Sequence, residues 1–152
     1  MANIRQKKME DIISKAAVLV EALPYVQEFR NSVFVIKYGG SFMDDPNPEI
    51  RASVAGDIAF LSAVGIHAVV VHGGGKAISR ALEKKGLEAK FVNGLRYTDE
   101  NTIKVVDEVL SHQVNSDVCE MLQIRNDRPF GIPGPTVFEG EKYTEDSQGN
   151  VV

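Results

Sequence analysis

The sequence predicts an α/β protein with a mainly parallel central sheet, and three observations lead there. Val33-Phe34-Val35-Ile36-Lys37 and His67-Ala68-Val69-Val70-Val71 are near-continuous apolar runs rich in β-branched residues, the pattern of strands buried on both faces. Each run ends in glycines, Gly39-Gly40 and Gly73-Gly74-Gly75. Helical spacing fills the stretch between the two runs and the stretch after the second. Strand, helix, strand, helix gives a right-handed βαβ unit, with both glycine ends on the same edge of the sheet.

Composition sets the class. The chain has 152 residues, enough for one domain with a core, and its 43% apolar and 25% charged content is ordinary for a soluble globular protein. A net charge of −4 argues against non-specific nucleic-acid binding. No apolar run approaches a membrane span, and the first residues lack the apolar core of a signal peptide, so the expected compartment is the cytoplasm. The single cysteine, Cys119, sits amid helical spacing and reads as a small, partly buried side chain.

Residues 4 to about 23 read as an amphipathic helix with Ile12, Ile13, Ala16, Leu19, Val20 and Leu23 on one face. Pro24 is expected to kink or end it, and residues 25–29 to add a short further turn. Two readings stay open: a helix lying on its own domain, or an arm that pairs with another subunit. After the first strand, Asn47 is suited to cap a helix that has Pro48 in its first turn. Ile50, Val54, Ile58, Leu61 and Val64 form that helix's stripe, and Gly65 stands at its C-terminal stop. The second strand leads into a helix over Ala77–Lys85, stopped by Gly86. Residues 89–96 read as a short strand and turn. Thr98 or Asp99 caps a long helix running to about Gln123. Beyond Arg125, prolines and glycines break regular structure; Thr136-Val137-Phe138 is compatible with a strand, and residues 140–150 with a polar hairpin or loop.

The chemistry concentrates at the glycine ends. Three glycines between a strand and a helix leave unpaired backbone N–H groups pointing at one spot, which suits an anion. The loop is neither of two better-known glycine motifs. Lys76 is followed by Ala77 rather than Ser or Thr, and Ile78 stands where a dinucleotide fingerprint needs its third glycine. Lys37 sits at the carboxyl end of a strand, where α/β proteins bind ligands, or it simply snorkels to solvent. Arg96, just before a helix start, is either a bidentate fork for an acidic ligand or an ordinary surface arginine. His67, His72 and His112 lack metal-ligand spacing, so no metal site is expected; His72 reads as structural in its turn.

Val35-Ile36-Lys37-Tyr38-Gly39-Gly40, Val70-Val71-His72-Gly73-Gly74-Gly75 and Phe91-Val92-Asn93-Gly94-Leu95-Arg96-Tyr97-Thr98 resemble, in order and spacing, three signatures of the amino-acid kinase family. The third resembles the branch that phosphorylates N-acetyl-L-glutamate. The resemblance covers about residues 17–123. It implies a three-layer αβα fold and transfer of the γ-phosphoryl of ATP to the side-chain carboxylate of N-acetyl-L-glutamate, on the route to arginine. Magnesium would arrive with ATP, with no tightly bound cofactor. Lys37 would stabilise the transition state beside the transferring group. Gly40, Gly73, Gly74 and Gly75 would offer backbone N–H groups, and Arg96 would hold the substrate's α-carboxylate.

Ala22-Leu23-Pro24-Tyr25 is similar to the extension of arginine-inhibited members, which implies a homodimer or homohexamer and places Tyr25 near an arginine effector. The family's nucleotide-binding half, with its second lysine, organising aspartate and substrate asparagine, has no counterpart in these residues. Its usual Gly-Lys-Asp-Gly turn is replaced by Arg128-Pro129-Phe130-Gly131-Ile132-Pro133-Gly134-Pro135. The expected organisation is therefore an arm over residues 1–30 and a substrate-binding lobe over residues 31–152, an N-terminal portion of a longer enzyme. Competing expectations are a family member acting on another carboxylate or carbamate, and a non-catalytic module that binds an acidic metabolite and oligomerises.

Overall fold

The computed structural model describes residues 2–43 and 45–140, with side chains omitted for residues 2–5, 41 and 42. In order the elements are α1 (Ala2–Phe29), β1 (Val33–Tyr38), α2 (Gly40–Met43), α3 (Pro48–Ala63), β2 (His67–His72), α4 (Gly75–Lys84), β3 (Phe91–Val92), β4 (Leu95–Arg96), α5 (Glu100–Asp107), a π-helical segment (Glu108–Val114) and α6 (Asn115–Gln123). Among the described residues no helix is long and apolar enough to cross a membrane.

β1 and β2 pair in parallel, Val33 opposite His67 through Tyr38 opposite His72. The α3 crossover is built as its sequence requires. Asn47 accepts the Glu49 N–H at 2.9 Å and Pro48 fills the first helical position. The helix ends at Ala63, and Gly65 follows in the left-handed region at φ +90°, a conformation a Cβ would strain. Gly86 ends α4 in the same way at φ +70°. β3 and β4 form a two-residue hairpin, with Asn93 at φ 49° and Gly94 at φ 81°, the backbone of a type I′ turn. Asp99 caps α5 by accepting from the Asn101 and Thr102 N–H groups.

The core lies on one face of the sheet. Ile36, Tyr38, Ala68 and Val70 meet Ala55 and Ile58 of α3, and the helical run from α5 to α6 adds Val105, Val109, Val114, Val118 and Leu122. The opposite face is open, with Val33 64%, Val35 70%, Val69 47% and Val71 48% exposed. The expectation of two buried faces is thus corrected. The strands alternate, because helices of the described residues cover only one side.

Three further expectations change. Of the two outcomes expected at Pro24, a kink or an end, the end does not occur; the helix runs through it to Phe29, since proline's φ is helical and the N–H it lacks falls on a solvent-exposed helix. The long helix after Asp99 carries a π-helical segment at its middle. Its buried residues step by four from Val105 to Val109, by five to Val114, then by four to Val118 and Leu122, and the five-residue step is where the extra residue is absorbed. Thr136-Val137-Phe138 is not a strand. Pro133 and Pro135 favour a tight turn, and Gly134–Thr136 forms one turn of 3-10 helix, with the Thr136 N–H on the Pro133 carbonyl and the Val137 N–H on the Gly134 carbonyl. The hairpin expected beyond Gly140 lies outside the described residues.

Candidate functional site

The two glycine segments leave the sheet from the same edge. The parallel register sets Lys37 beside Val71 and Tyr38 beside His72, so Gly39-Gly40 and Gly73-Gly74-Gly75 follow adjacent strand ends, spaced about 4.8 Å apart as paired strands are. Lys37 is exposed on the open face and Tyr38 points the other way into the core. Burial pushes the Tyr38 phenol above its ordinary pKa, opposed by the charge of Arg51. Its hydroxyl donates to Met121 Sδ at 3.7 Å, which ties the end of β1 to α6.

At the end of β2, in the tautomer protonated on Nδ1, His72 donates to the Gly73 carbonyl at 3.2 Å. Gly74 precedes α4 with no side chain capping the helix, so the first N–H groups of α4 have no partner within it. Gly74 is glycine for reasons of space. A Cβ there would lie 2.7 Å from Leu110 Cδ2 and 3.3 Å from Val114 Cγ2, both in the π-helical segment. That segment therefore packs closely against the glycine loop. Lys85 at the far end of α4 pairs with Glu108 at 2.6 Å, a half-exposed contact that adds little stability.

Arg96 reaches the same place from the hairpin. Its Nη2 donates to the Gly75 carbonyl at 3.0 Å and to Ser79 Oγ at 2.9 Å. Its guanidinium carbon lies 4.7 Å from the centre of the Phe91 ring, a cation–π contact built by the register that sets Phe91 opposite Arg96. Its Nη1 is buried without a hydrogen-bond partner. Arg96 is therefore no free surface side chain. Asp99, three residues on, is held below the ordinary carboxylate pKa, first by the Thr102 backbone N–H.

The structure thus brings Lys37, Gly40, Gly73, Gly74, Gly75 and Arg96 to one edge of the sheet. Tyr25 is not brought there; it is exposed on α1, a helix that meets the body through Phe29 edge-on to Phe34. Ser79 and Phe91 escaped the sequence reading. Their signals were present, since Ser79 lies one helical turn after Gly75, and Asn93-Gly94 marks a hairpin that pairs Phe91 with Arg96. A cavity of about 700 Å³ lies between β2, the α5–α6 run and residues 127–138. Ile58, Val118, Leu122 and Phe130 are among its apolar walls, and neither Lys37 nor Gly75 nor Arg96 lines it. A convergence of N–H donors, a lysine and an arginine at a strand edge is suited to holding and aligning anions.

Residues 32–150 match the amino acid kinase family. An acetylglutamate kinase of Akkermansia muciniphila is 44% identical over 146 residues, covering 95% of this chain and 48% of that protein. One from Aquifex aeolicus is 54% identical over 114 residues, covering 75% of this chain and 38% of that protein. A solved structure of N-acetylglutamate synthase from Neisseria gonorrhoeae, complexed with coenzyme A and N-acetyl-glutamate, aligns with a TM-score of 0.53 at 26% identity, over 72% of this chain and 24% of that one. The chain spans about half the length of the curated relatives it matches.

Proposed function

The chain belongs to the amino acid kinase family, and we propose that the whole protein is an acetylglutamate kinase to which these residues contribute the substrate-binding lobe. The observation that carries this reading is the docking of Arg96 on Gly75 at 3.0 Å. It joins the hairpin signature to the glycine signature at the edge where Lys37 also stands.

In the proposed reaction a side-chain oxygen of N-acetyl-L-glutamate attacks the γ-phosphorus of ATP. The new P–O bond gives an acyl phosphate, and the bond to the bridging oxygen breaks to release ADP. The nucleophile is already a carboxylate, so no general base is needed. What the protein must do is align two anions and offset the charge that develops during transfer. Arg96 holds the α-carboxylate. The backbone N–H groups of Gly73–Gly75 and Gly40 face the reacting oxygens, and Lys37 stabilises the transferring phosphoryl. ATP brings its magnesium.

The rest of the organisation follows the same reading. Residues 31–152 form the substrate lobe, and a nucleotide lobe completes the enzyme. The open face of β1 and β2, lined by Val33, Val35, Val69 and Val71, takes the third layer of an αβα sandwich. Residues 1–30 form an intersubunit arm that leads to a homodimer or homohexamer, with Tyr25 beside an arginine effector site. On this reading the enzyme works in the cytoplasm.

The test is acyl phosphate production by the full-length protein, trapped as hydroxamate. Product is expected with N-acetyl-L-glutamate and not with unacetylated glutamate or carbamate. Preference for another carboxylate or carbamate overturns the substrate assignment. Absence of ATP binding by the full-length protein favours a non-catalytic binding module and overturns the kinase reading.

A further inference from the structure

We infer that Ser79 is a positioning residue, one that fixes the Arg96 guanidinium against Phe91 so that its Nη1 side is presented to substrate. The inference rests on the reading of Arg96 as the anchor for the substrate carboxylate.

The geometry begins with a closed triangle. Ser79 Oγ donates its proton to the Gly75 carbonyl at 3.1 Å. With that proton committed, the same oxygen has lone pairs to accept from Arg96 Nη2 at 2.9 Å, and Nη2 also donates to Gly75 O at 3.0 Å. Both hydrogens of Nη2 are thereby used. Ser79 holds this place because it lies four residues after Gly75, which sets its side chain over the first turn of α4.

The second constraint is the plane. The guanidinium carbon sits 4.7 Å from the Phe91 ring centre, and Phe91 is its partner across the hairpin. A planar group fixed at one nitrogen and along one face has no rotational freedom left, so the direction of the remaining donors is set. Thr98 Oγ1 donates to the Arg96 carbonyl at 3.2 Å and holds the backbone as it leaves β4.

The third observation points to a ligand. Arg96 Nη1 is buried with no acceptor, and a buried unpaired donor is costly to maintain. Nη2, by contrast, has two acceptors, and the guanidinium plane lies over Phe91. A fork with one prong fixed to the protein and the other unpaired is matched to a carboxylate oxygen.

Ser79→Ala in the full-length enzyme removes the acceptor and leaves the charge. The KM for N-acetyl-L-glutamate is expected to rise about 10-fold, the loss of one charge-assisted hydrogen bond, with kcat within about 2-fold and the KM for ATP unchanged. Ser79→Thr keeps the hydroxyl and restores the KM, a rescue that a mere packing role does not predict. In an Arg96→Ala background, Ser79→Ala adds no further effect. If Arg96→Ala raises the KM and Ser79→Ala does not, the positioning role is wrong while the anchor stands. If Arg96→Ala leaves the KM unchanged, the anchor reading fails and this inference with it. Parallel losses in kcat and both KM values without rescue by threonine make Ser79 structural and overturn the inference.

Discussion

The two strand exits begin alike and end differently. β1 leaves through Gly39-Gly40 into a helix of four residues, and a Cβ at Gly39 meets nothing within 4 Å. β2 leaves through Gly73–Gly75 into a helix of ten residues, and a Cβ at Gly74 meets Leu110 at 2.7 Å. The second exit is packed from below by the π-helical segment and gripped from above by Arg96. The first is open and carries Lys37 on an uncovered face. The difference teaches that one edge of a sheet can hold two unlike devices. On the proposed reading, the exit of β2 is the one that receives the small acid, and that of β1 serves the group that moves.

The largest effect expected from this division belongs to Lys37. Lys37→Ala in the full-length enzyme should lower kcat by about 10²–10³-fold, the usual loss of a donor that acts on developing charge, with a much smaller change in acetylglutamate KM. An unchanged kcat in steady-state assays would remove Lys37 from the transfer.

Arg96→Lys comes next and should sharpen the contrast. Lysine keeps the charge and loses the planar fork, the stack on Phe91 and the paired donors. Acetylglutamate KM should rise about 10-fold or more and ATP KM should stay near its original value. Equal changes in both would show that Arg96 holds the lobe together and does not select the acid.

The scaffold of the second exit carries a pH signature. Asp99 caps α5, and its folded pKa lies below the ordinary value of 3.8, chiefly through the Thr102 N–H. Its stabilisation is therefore complete above the ordinary value and fades as pH falls through the lowered one. Asp99→Asn keeps a capping oxygen and removes the titration. Thermal melts across the acid range should show a shallower loss of stability for the asparagine variant; identical profiles would assign the acid sensitivity elsewhere.

How much of this was legible depended on how local each requirement was. Asn47-Pro48, Gly65, Gly86 and Asp99 announced their helix ends because capping and left-handed backbone are settled within a few residues. The edge shared by the glycine exits was legible from parallel topology. Burial of Val33, Val35, Val69 and Val71 was misread because a strand's apolar pattern reports the layers it is built for, and the described residues supply only one. The π-helical segment hid in a spacing that tolerates one five-residue step. Ser79 was missed because its role depends on Arg96, which arrives from a separate hairpin.

The smallest kinetic effect should come from α1. Met9, Ile12, Ile13, Leu19 and Val20 are exposed along it, and burying such a face against a neighbouring subunit would stabilise an assembly at roughly 25 cal/mol per Å². Deleting residues 1–26 should change kcat and both KM values less than about 2-fold. Light scattering should show hexamers reduced to dimers, and arginine inhibition should vanish. A truncated enzyme that stays hexameric and arginine-sensitive would return the helix to its own domain.

The separation of the two exits is tested most directly by a double-mutant cycle on kcat/KM for N-acetyl-L-glutamate, with Lys37→Ala and Arg96→Lys made singly and together in the full-length enzyme. If the β2 exit holds the acid and the β1 exit serves the transfer, the two losses multiply, with a coupling energy within about 0.5 kcal/mol of zero. A double variant no worse than Lys37→Ala alone would show that the two side chains act as one unit and would contradict the division.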